Sequence, residues 1–332
     1  MSIALMAYLK PLSPYLNDAS VSEICVNNPG EIWLEKSGRF TCHAVPDLTQ
    51  DHLRQLAGLV AEDNCKDLSD TKPLLSATLP AGERCQFVLP PACEKGRVIC
   101  AIRKQSVLNL TLDDWETRGA FAHVKKSRAQ AVHDLRARLN VLYKADRWKE
   151  LIQLAVESKL NIIISGGTST AKTSFLNSCL QAIPEHERLV TIEGVREVVI
   201  TLPNKVHLLA NEDEDHTLTA SVLDLLKVSL RLRPDRIFVS ELRAREAYPF
   251  LRACISGHPG SLTTLHADSI PHALEQLCFM LSEAPELQQA PVSRLREIIR
   301  SSVNMVIQMA RLDDGNRVID DICLYGDTHA VA

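Results

Sequence analysis

The sequence predicts an α/β protein in two parts: a C-terminal domain on a mostly parallel sheet, and a smaller N-terminal α+β domain. Three observations carry that prediction. The chain has 332 residues, more than one core usually holds at roughly 150 residues per domain. From Leu160 onward, short apolar runs alternate with helical spacings, the pattern of a parallel sheet with covered faces. Before residue 108, short strand-like runs are instead punctuated by turn signals such as Pro29-Gly30 and Ser37-Gly38.

The N-terminal domain, 1–108, opens with a helix over Ala4 to Leu16. EICVNNPGEIWLEKSGRFTCHAV then reads as three short strands. Leu53, Leu56, Leu59 and Val60 give Gln50 to Asn64 a helical apolar face. Two or three more strands surround Ala81-Gly82 and Lys95-Gly96, which makes a small sheet with helices to one side. Residues 109–155 form a helical, basic linker: Arg118 to Glu150 holds nine basic and three acidic side chains. Such a run suits a solvated connector, or a face toward anionic lipid or an acidic neighbouring subunit. In 156–332, the strands are NIIIS, LVTIEGV, RIFVSEL and SLTTLHA. Helices are expected over Thr173–Ile183, Ala220–Leu232, Glu246–Ile255, Pro271–Ser282 and from Val292, before a closing hairpin around DDGNR.

Composition excludes several classes. At 45% hydrophobic and 23% charged, the chain is globular rather than disordered. A net charge of −4 argues against a nucleic-acid coat, and 5% aromatics against a base-stacking platform, so DNA binding is not expected as the main role. No apolar run approaches the ~18 residues of a membrane span, and the start lacks a signal-peptide pattern. None of the ten cysteines forms a C-x-x-C pair, which disfavours a zinc ribbon and fits a reducing cytosol.

The strongest chemical signal is IIISGGTSTAKTSFL, residues 162–176: apolar strand, small-residue loop, Lys-Thr, apolar helix. Backbone N–H groups of such a loop cradle phosphates, and the helix N-terminus adds partial positive charge. Gly166, Gly167, Thr168, Ser169, Thr170, Ala171, Lys172, Thr173 and Ser174 are the candidate loop residues. Lys172 suits the β- and γ-phosphates, and the Thr173 hydroxyl suits Mg²⁺. Ala171 stands where G-x-x-x-x-G-K-[ST] has its second glycine; a positive φ there costs an alanine about 1–2 kcal/mol. RIFVSEL ends in Glu241, at the carboxyl edge of the sheet where ligands bind in open α/β folds. It suits orienting a water or holding the metal's water shell. Glu193 and Glu197 end a second strand, and His258 and His266 flank a third.

Taken in order, these segments resemble the secretion-superfamily traffic ATPases, and in particular their type IV secretion branch. GGTSTAKTS is similar to the Walker A box, TIEGVREV to the Asp box, RPDRIFVSELR to Walker B and SGHPGSLTTLHA to the His box. EICVNNPGEIW, LPAGERCQFVLPP and VICAIRK resemble the branch's N-terminal domain. The resemblance implies a RecA-like P-loop ATPase domain, a homo-hexameric ring, and ATP with Mg²⁺ bound between the domains. It implies that Lys172 and Thr173 bind phosphates and metal, with Glu241 reaching the metal through water. Glu193 and Glu197 would be the Asp-box acids and His266 the His-box residue. Arg84 and Arg103 would reach the nucleotide phosphates from the N-terminal domain. Also implied are other inner-membrane and cytoplasmic secretion ATPases and components as partners, at the cytoplasmic face of a bacterial inner membrane with peripheral membrane contact. The implied work is pilus biogenesis and substrate translocation in secretion or conjugation. Ser169, Ala171, Gly194 and Ser240 depart from the family pattern, which points to slow hydrolysis. The linker is longer than in the shortest members, as in the branch where the C-terminal domain packs differently against the N-terminal domains. The alternatives are a type II secretion or pilus-retraction ATPase, often marked by the cysteine pairs missing here, and a non-hydrolysing, nucleotide-binding structural ring subunit.

Overall fold

The computed structural model describes residues 2–104, 110–122, 124, 128–210 and 220–325. The chain opens with α1 (Ile3–Leu9), a 3-10 turn (Lys10–Leu12) and α2 (Ser13–Leu16). The spacing predicts one helix here, but Pro11 and Pro14 lack the N–H that a continuous ladder needs, and they divide it. β1 (Val21–Val26), β2 (Glu31–Lys36) and β3 (Arg39–Ala44) follow, then α3 (Gln50–Asp63), β4 (Leu74–Thr78), β5 (Arg84–Val88) and β6 (Ile99–Arg103). The side chain of Thr49 caps α3 by accepting the His52 N–H. The strands form one antiparallel sheet of order β3-β2-β1-β6-β5-β4.

Period-two alternation gives that sheet two apolar faces. Ile24, Val26, Cys100 and Ile102 pack with Leu5, Leu9, Leu53 and Leu56 of the helices. Cys25, Val88, Ile99 and Ala101 point the other way and join the core of the C-terminal domain. The helices lie to one side as expected, and the second face is covered by the rest of the chain.

The connector holds α4 (Leu112–Thr117), α5 (Arg128–Lys144) and α6 (Trp148–Glu157). A Thr111–Asp114 capping box starts α4. The expected boundary at 108/109 and the basic pair Lys125 and Lys126 lie outside the described residues. α6 packs as part of the C-terminal domain rather than as a solvated link. Its Leu151, Ile152, Ala155 and Val156 are buried with Leu139 of α5 against the sheet. The Tyr143 hydroxyl also donates to the Ile322 carbonyl oxygen at 3.1 Å.

The C-terminal domain continues with β7 (Ile162–Gly166), α7 (Lys172–Leu180), β8 (Leu189–Glu193), β9 (Lys205–Leu209), α8 (Val222–Ser229) and β10 (Arg236–Val239). It ends with α9 (Ala247–Ile255), β11 (Leu262–Leu265), α10 (Ile270–Ser282), α11 (Val292–Ser302), β12 (Met305–Arg311) and β13 (Arg317–Leu324). The sheet order is β13-β12-β7-β11-β10-β8-β9, and every pairing except β12–β13 is parallel. α5, α6 and α7 cover one face; α8 to α11 cover the other. β9 was not expected from the sequence.

Polar groups join the two domains. Arg188 is fully buried; its Nη1 donates to Asn27 Oδ1 at 2.7 Å and its Nε to the Leu232 carbonyl at 2.8 Å. Arg233 pairs with Glu35. The two guanidinium groups lie 5.9 and 5.5 Å from the Phe40 ring centre. Cys93 forms an antiparallel bridge with Leu208, and the Leu209 N–H donates to the Ala92 carbonyl at 2.9 Å, so an N-terminal loop extends the C-terminal sheet past β9.

Deeper in the C-terminal domain, the fully buried Arg236 is held by both oxygens of Glu187 at 2.7 and 3.0 Å, and donates to the Val156 carbonyl. Replacing one partner strands the other charge out of water. Glu187→Ala should therefore lower stability by about 3–5 kcal/mol in chemical denaturation; a change within ~0.5 kcal/mol would mean that Arg236 does not depend on the pair.

Candidate functional site: a phosphate-type loop at the carboxyl edge

Parallel pairing puts the ends of β7, β8, β10 and β11 on one edge of the sheet. The loop after β7 turns sharply into α7. Gly166 is required there: a Cβ would stand 2.7 Å from the Met309 carbonyl oxygen and 2.5 Å from Thr170 Oγ1. Thr170 is buried, and its hydroxyl donates to the Gly167 carbonyl at 2.9 Å, which closes the loop on itself. Ser169 and Ala171 both have positive φ, 61° and 68°. The alanine thus occupies the left-handed conformation in which a glycine is free of strain. As the residue before α7 it has no side-chain oxygen to cap the helix, so the first-turn N–H groups have no side-chain acceptor.

Lys172 is buried and folded back over the loop. Its Nζ donates to the carbonyls of Gly166 and Gly167 at 2.9 and 2.8 Å, and to His266 Nδ1 at 3.3 Å. An ammonium only donates, so His266 Nδ1 accepts and the ring proton sits on Nε2. That nitrogen meets Glu241 Oε1 at 3.0 Å, and Arg243 holds Glu241 Oε2 at 2.9–3.0 Å. Lys172, His266, Glu241 and Arg243 thus form one polar chain across the ends of three elements. Burial pulls the Lys172 pKa below its ordinary value, and the charge of Glu241 partly restores it.

These groups line a cleft of about 530 Å³, within the range of small-molecule sites. Its wall includes Ser169, Thr170, Ala171, Lys172, Thr173 and Ser174, with Gly194, Val195, Glu197, Ser240, Glu241, Arg243, Thr264 and His266. Gly166 lies beneath the loop; Gly167 and Thr168 are at its shoulder, Thr168 exposed to solvent. The hydroxyl of Thr173 and the carboxylate of Glu241 suit Mg²⁺, which takes few protein oxygens and keeps several waters.

Glu193 is placed differently from Glu197. Its carboxylate is fully buried and does not line the cleft. Oε2 accepts the N–H groups of Glu197 and Val198 at 2.8 and 2.6 Å, and Oε1 accepts the Thr191 hydroxyl at 2.7 Å. Burial alone would raise its pKa, but hydrogen bonds from His207, Val198, Thr191 and Glu197 outweigh that and hold it below the ordinary carboxylate value. Asn177 of α7 ties the same turn to the phosphate loop: its amide donates to the Glu197 carbonyl at 3.1 Å and its oxygen accepts the Val199 N–H at 2.9 Å. His258 also lies outside the cleft, with Nδ1 3.1 Å from the Pro234 carbonyl.

Arg84 and Arg103 are cross-strand partners on β5 and β6, exposed, and neither lines the cleft, whose described lining residues all come from the C-terminal domain. Arg103 lies opposite Glu23 of β1. Burial raises Glu23 to about 7, and the Arg103 charge opposes that rise. Of the residues in the cleft, Arg243 had a readable sequence signal: two positions beyond Glu241 on an extended segment, it shares that side of the chain.

The loop's strain is directly testable. Ala171→Gly removes a left-handed alanine and should raise stability by about 0.5–1 kcal/mol in chemical denaturation, after the glycine's greater unfolded-state freedom is counted. An unchanged or lower stability would contradict strain at this position.

The family described as "Type II/IV secretion system protein" matches residues 7–324. The chain is 37% identical over 307 residues to the type IV secretion system protein VirB11 of Brucella suis, covering 91% of this chain and 84% of that protein. It is also 37% identical over 314 residues to the type IV secretion system protein PtlH of Bordetella pertussis, covering 92% and 89%. The crystal structure of the VirB11 ATPase from the Brucella suis type IV secretion system, in complex with sulphate, superposes with a TM-score of 0.90 at 34% identity, over 97% of each chain. The chain belongs to the type II/IV secretion system protein family.

Proposed function

We infer that this chain is an ATP-hydrolysing motor of a bacterial type IV secretion or conjugation system, driving pilus biogenesis and substrate translocation. The observation that carries the reading is the Lys172–His266–Glu241 chain across a cleft floored by an uncapped helix N-terminus. The relatives named as type IV secretion proteins support the setting over the type II or pilus-retraction alternative.

The residues divide the work. The α7 N-terminus and Lys172 bind the β- and γ-phosphates and offset their charge. Lys172 must exchange two loop carbonyls for phosphate oxygens, so the site starts with its cation held inside it. Thr173 and Glu241 would hold Mg²⁺, which when bound neutralises charge developing on the phosphoryl oxygens. Glu241 and Glu197 face the same space and are the carboxylates able to orient the attacking water. His266 bridges the phosphate-binding ammonium to Glu241, which suits reporting the γ-phosphate to that carboxylate.

Hydrolysis is slow in this reading because Ser169 and Ala171 strain the loop and Gly194 leaves the cleft one carboxylate short of the family pattern. In the homo-hexamer we infer, Arg84 and Arg103 serve the cleft of another copy, since both stand exposed on the N-terminal sheet. Among the described residues no helix is long and apolar enough to cross a membrane, which suits a peripheral place at the cytoplasmic face of the inner membrane, beside other secretion ATPases and components.

Phosphate release from ATP by the assembled protein tests the reading. Lys172→Ala should lower turnover by about 10²-fold or more, and Glu241→Gln by a similar factor with ATP binding retained. Full activity in either variant would remove the assignment. Binding without turnover in the unmodified protein would favour the non-hydrolysing structural ring.

A further inference from the structure

Beside the cleft is a polar array, buried at Thr191, Glu193 and His207, that the steps above do not use. Arg196 Nη2 lies 2.7 Å from His207 Nε2, and His207 Nδ1 lies 2.8 Å from Thr191 Oγ1. The guanidinium can only donate, so the His207 proton sits on Nδ1, where it faces the Thr191 oxygen and, at 3.5 Å, Glu193 Oε1. The Thr191 hydroxyl hydrogen then goes to Glu193 Oε1 at 2.7 Å. The other Glu193 oxygen holds the N–H groups of Glu197 and Val198. Donors therefore run in one direction, from Arg196 to the carboxylate that fixes the backbone of a cleft residue. Arg196 also binds the Val198 carbonyl and approaches Glu193 Oε1 at 3.4 Å, so it grips both ends of the same turn.

The other side of Arg196 faces the N-terminal domain. Its Nε donates to Glu94 Oε1 at 3.3 Å. Glu94 follows Ala92 and Cys93, the residues that extend the sheet past β9. Arg97 of the same loop holds the other Glu94 oxygen at 2.9 Å. The N-terminal loop is thereby fixed to the strand carrying His207 and to the arginine that orders the Glu193–Val198 turn.

We propose that Glu94 and Arg196 form an inter-domain catch that positions Glu197, so that seating of the N-terminal domain on β9 sets the competence of the cleft. The catch rests on the ATPase reading for its effect on turnover. Glu94, Arg196 and Glu193 are positioning residues: none of their contacts requires them to touch the nucleotide.

The test uses the full chain with Glu94→Ala, Arg196→Ala, their double variant and the conservative Glu94→Gln, which keeps an oxygen acceptor. Steady-state phosphate release should show kcat lowered about three- to tenfold in each single alanine variant, with KM for ATP within about twofold. The double variant should be no slower than the slower single variant, and Glu94→Gln should recover part of the loss. Hydrogen exchange on the nucleotide-free proteins should show faster exchange confined to a peptide over 193–199. Unchanged kcat, additive losses, or unchanged exchange in that peptide would overturn the catch, as would faster exchange throughout the chain. If the unmodified protein binds ATP without turnover, the ATPase reading fails separately, and the exchange pattern alone decides the catch.

Discussion

The parallel register of β7, β11, β10 and β8 is the constraint on which the site depends. Strands paired in parallel end at the same edge, so four loops that are far apart in sequence are delivered to one cleft. Leu265 pairs with Ser165 and Val239 with Thr263, which sets Lys172, Glu241 and His266 within one polar chain. Slipping either register by one residue would exchange the faces of these strands and disperse the three side chains. The apolar cores on both faces therefore protect the chemistry as well as the fold.

The second organising feature is the seat of the N-terminal sheet. Its inner face is closed by its own helices and its outer face by the C-terminal domain, so the two domains share a continuous apolar core. Fully buried Arg188 and the half-buried Arg233 add direction to that contact, because hydrogen bonds and an ion pair demand one orientation where apolar surfaces would accept several. The same contact leaves Arg84 and Arg103 outside their own chain's cleft.

Much of this was legible in the sequence. The strand–loop–helix around Lys172, the Glu241 strand end and the His266 strand were all readable, because local pattern and chain direction determine them. The alanine at 171 is legible in the sequence but its backbone conformation is not, because either sign of φ fits the same residues; its φ of 68° is left-handed. The distinct place of Glu193 was not readable: a strand-end carboxylate looks the same whether it faces solvent or folds back onto its own N–H groups. Nor was β9, a five-residue run joined to an N-terminal loop that only tertiary contact reveals. The packing of α6 was within reach, since Leu151, Ile152, Ala155 and Val156 carry helical apolar spacing inside an otherwise charged connector.

The central claim is that Lys172, His266 and Glu241 form one nucleotide site primed by the loop's own carbonyls. A crystal structure with Mg²⁺ and a non-hydrolysable ATP analogue measures this most directly. The account predicts phosphates against the first turn of α7, with Lys172 Nζ moved from the Gly166 and Gly167 carbonyls to phosphate oxygens and His266 still within reach of Glu241. Nucleotide bound elsewhere, or in the cleft with Lys172 still on those carbonyls, would contradict it.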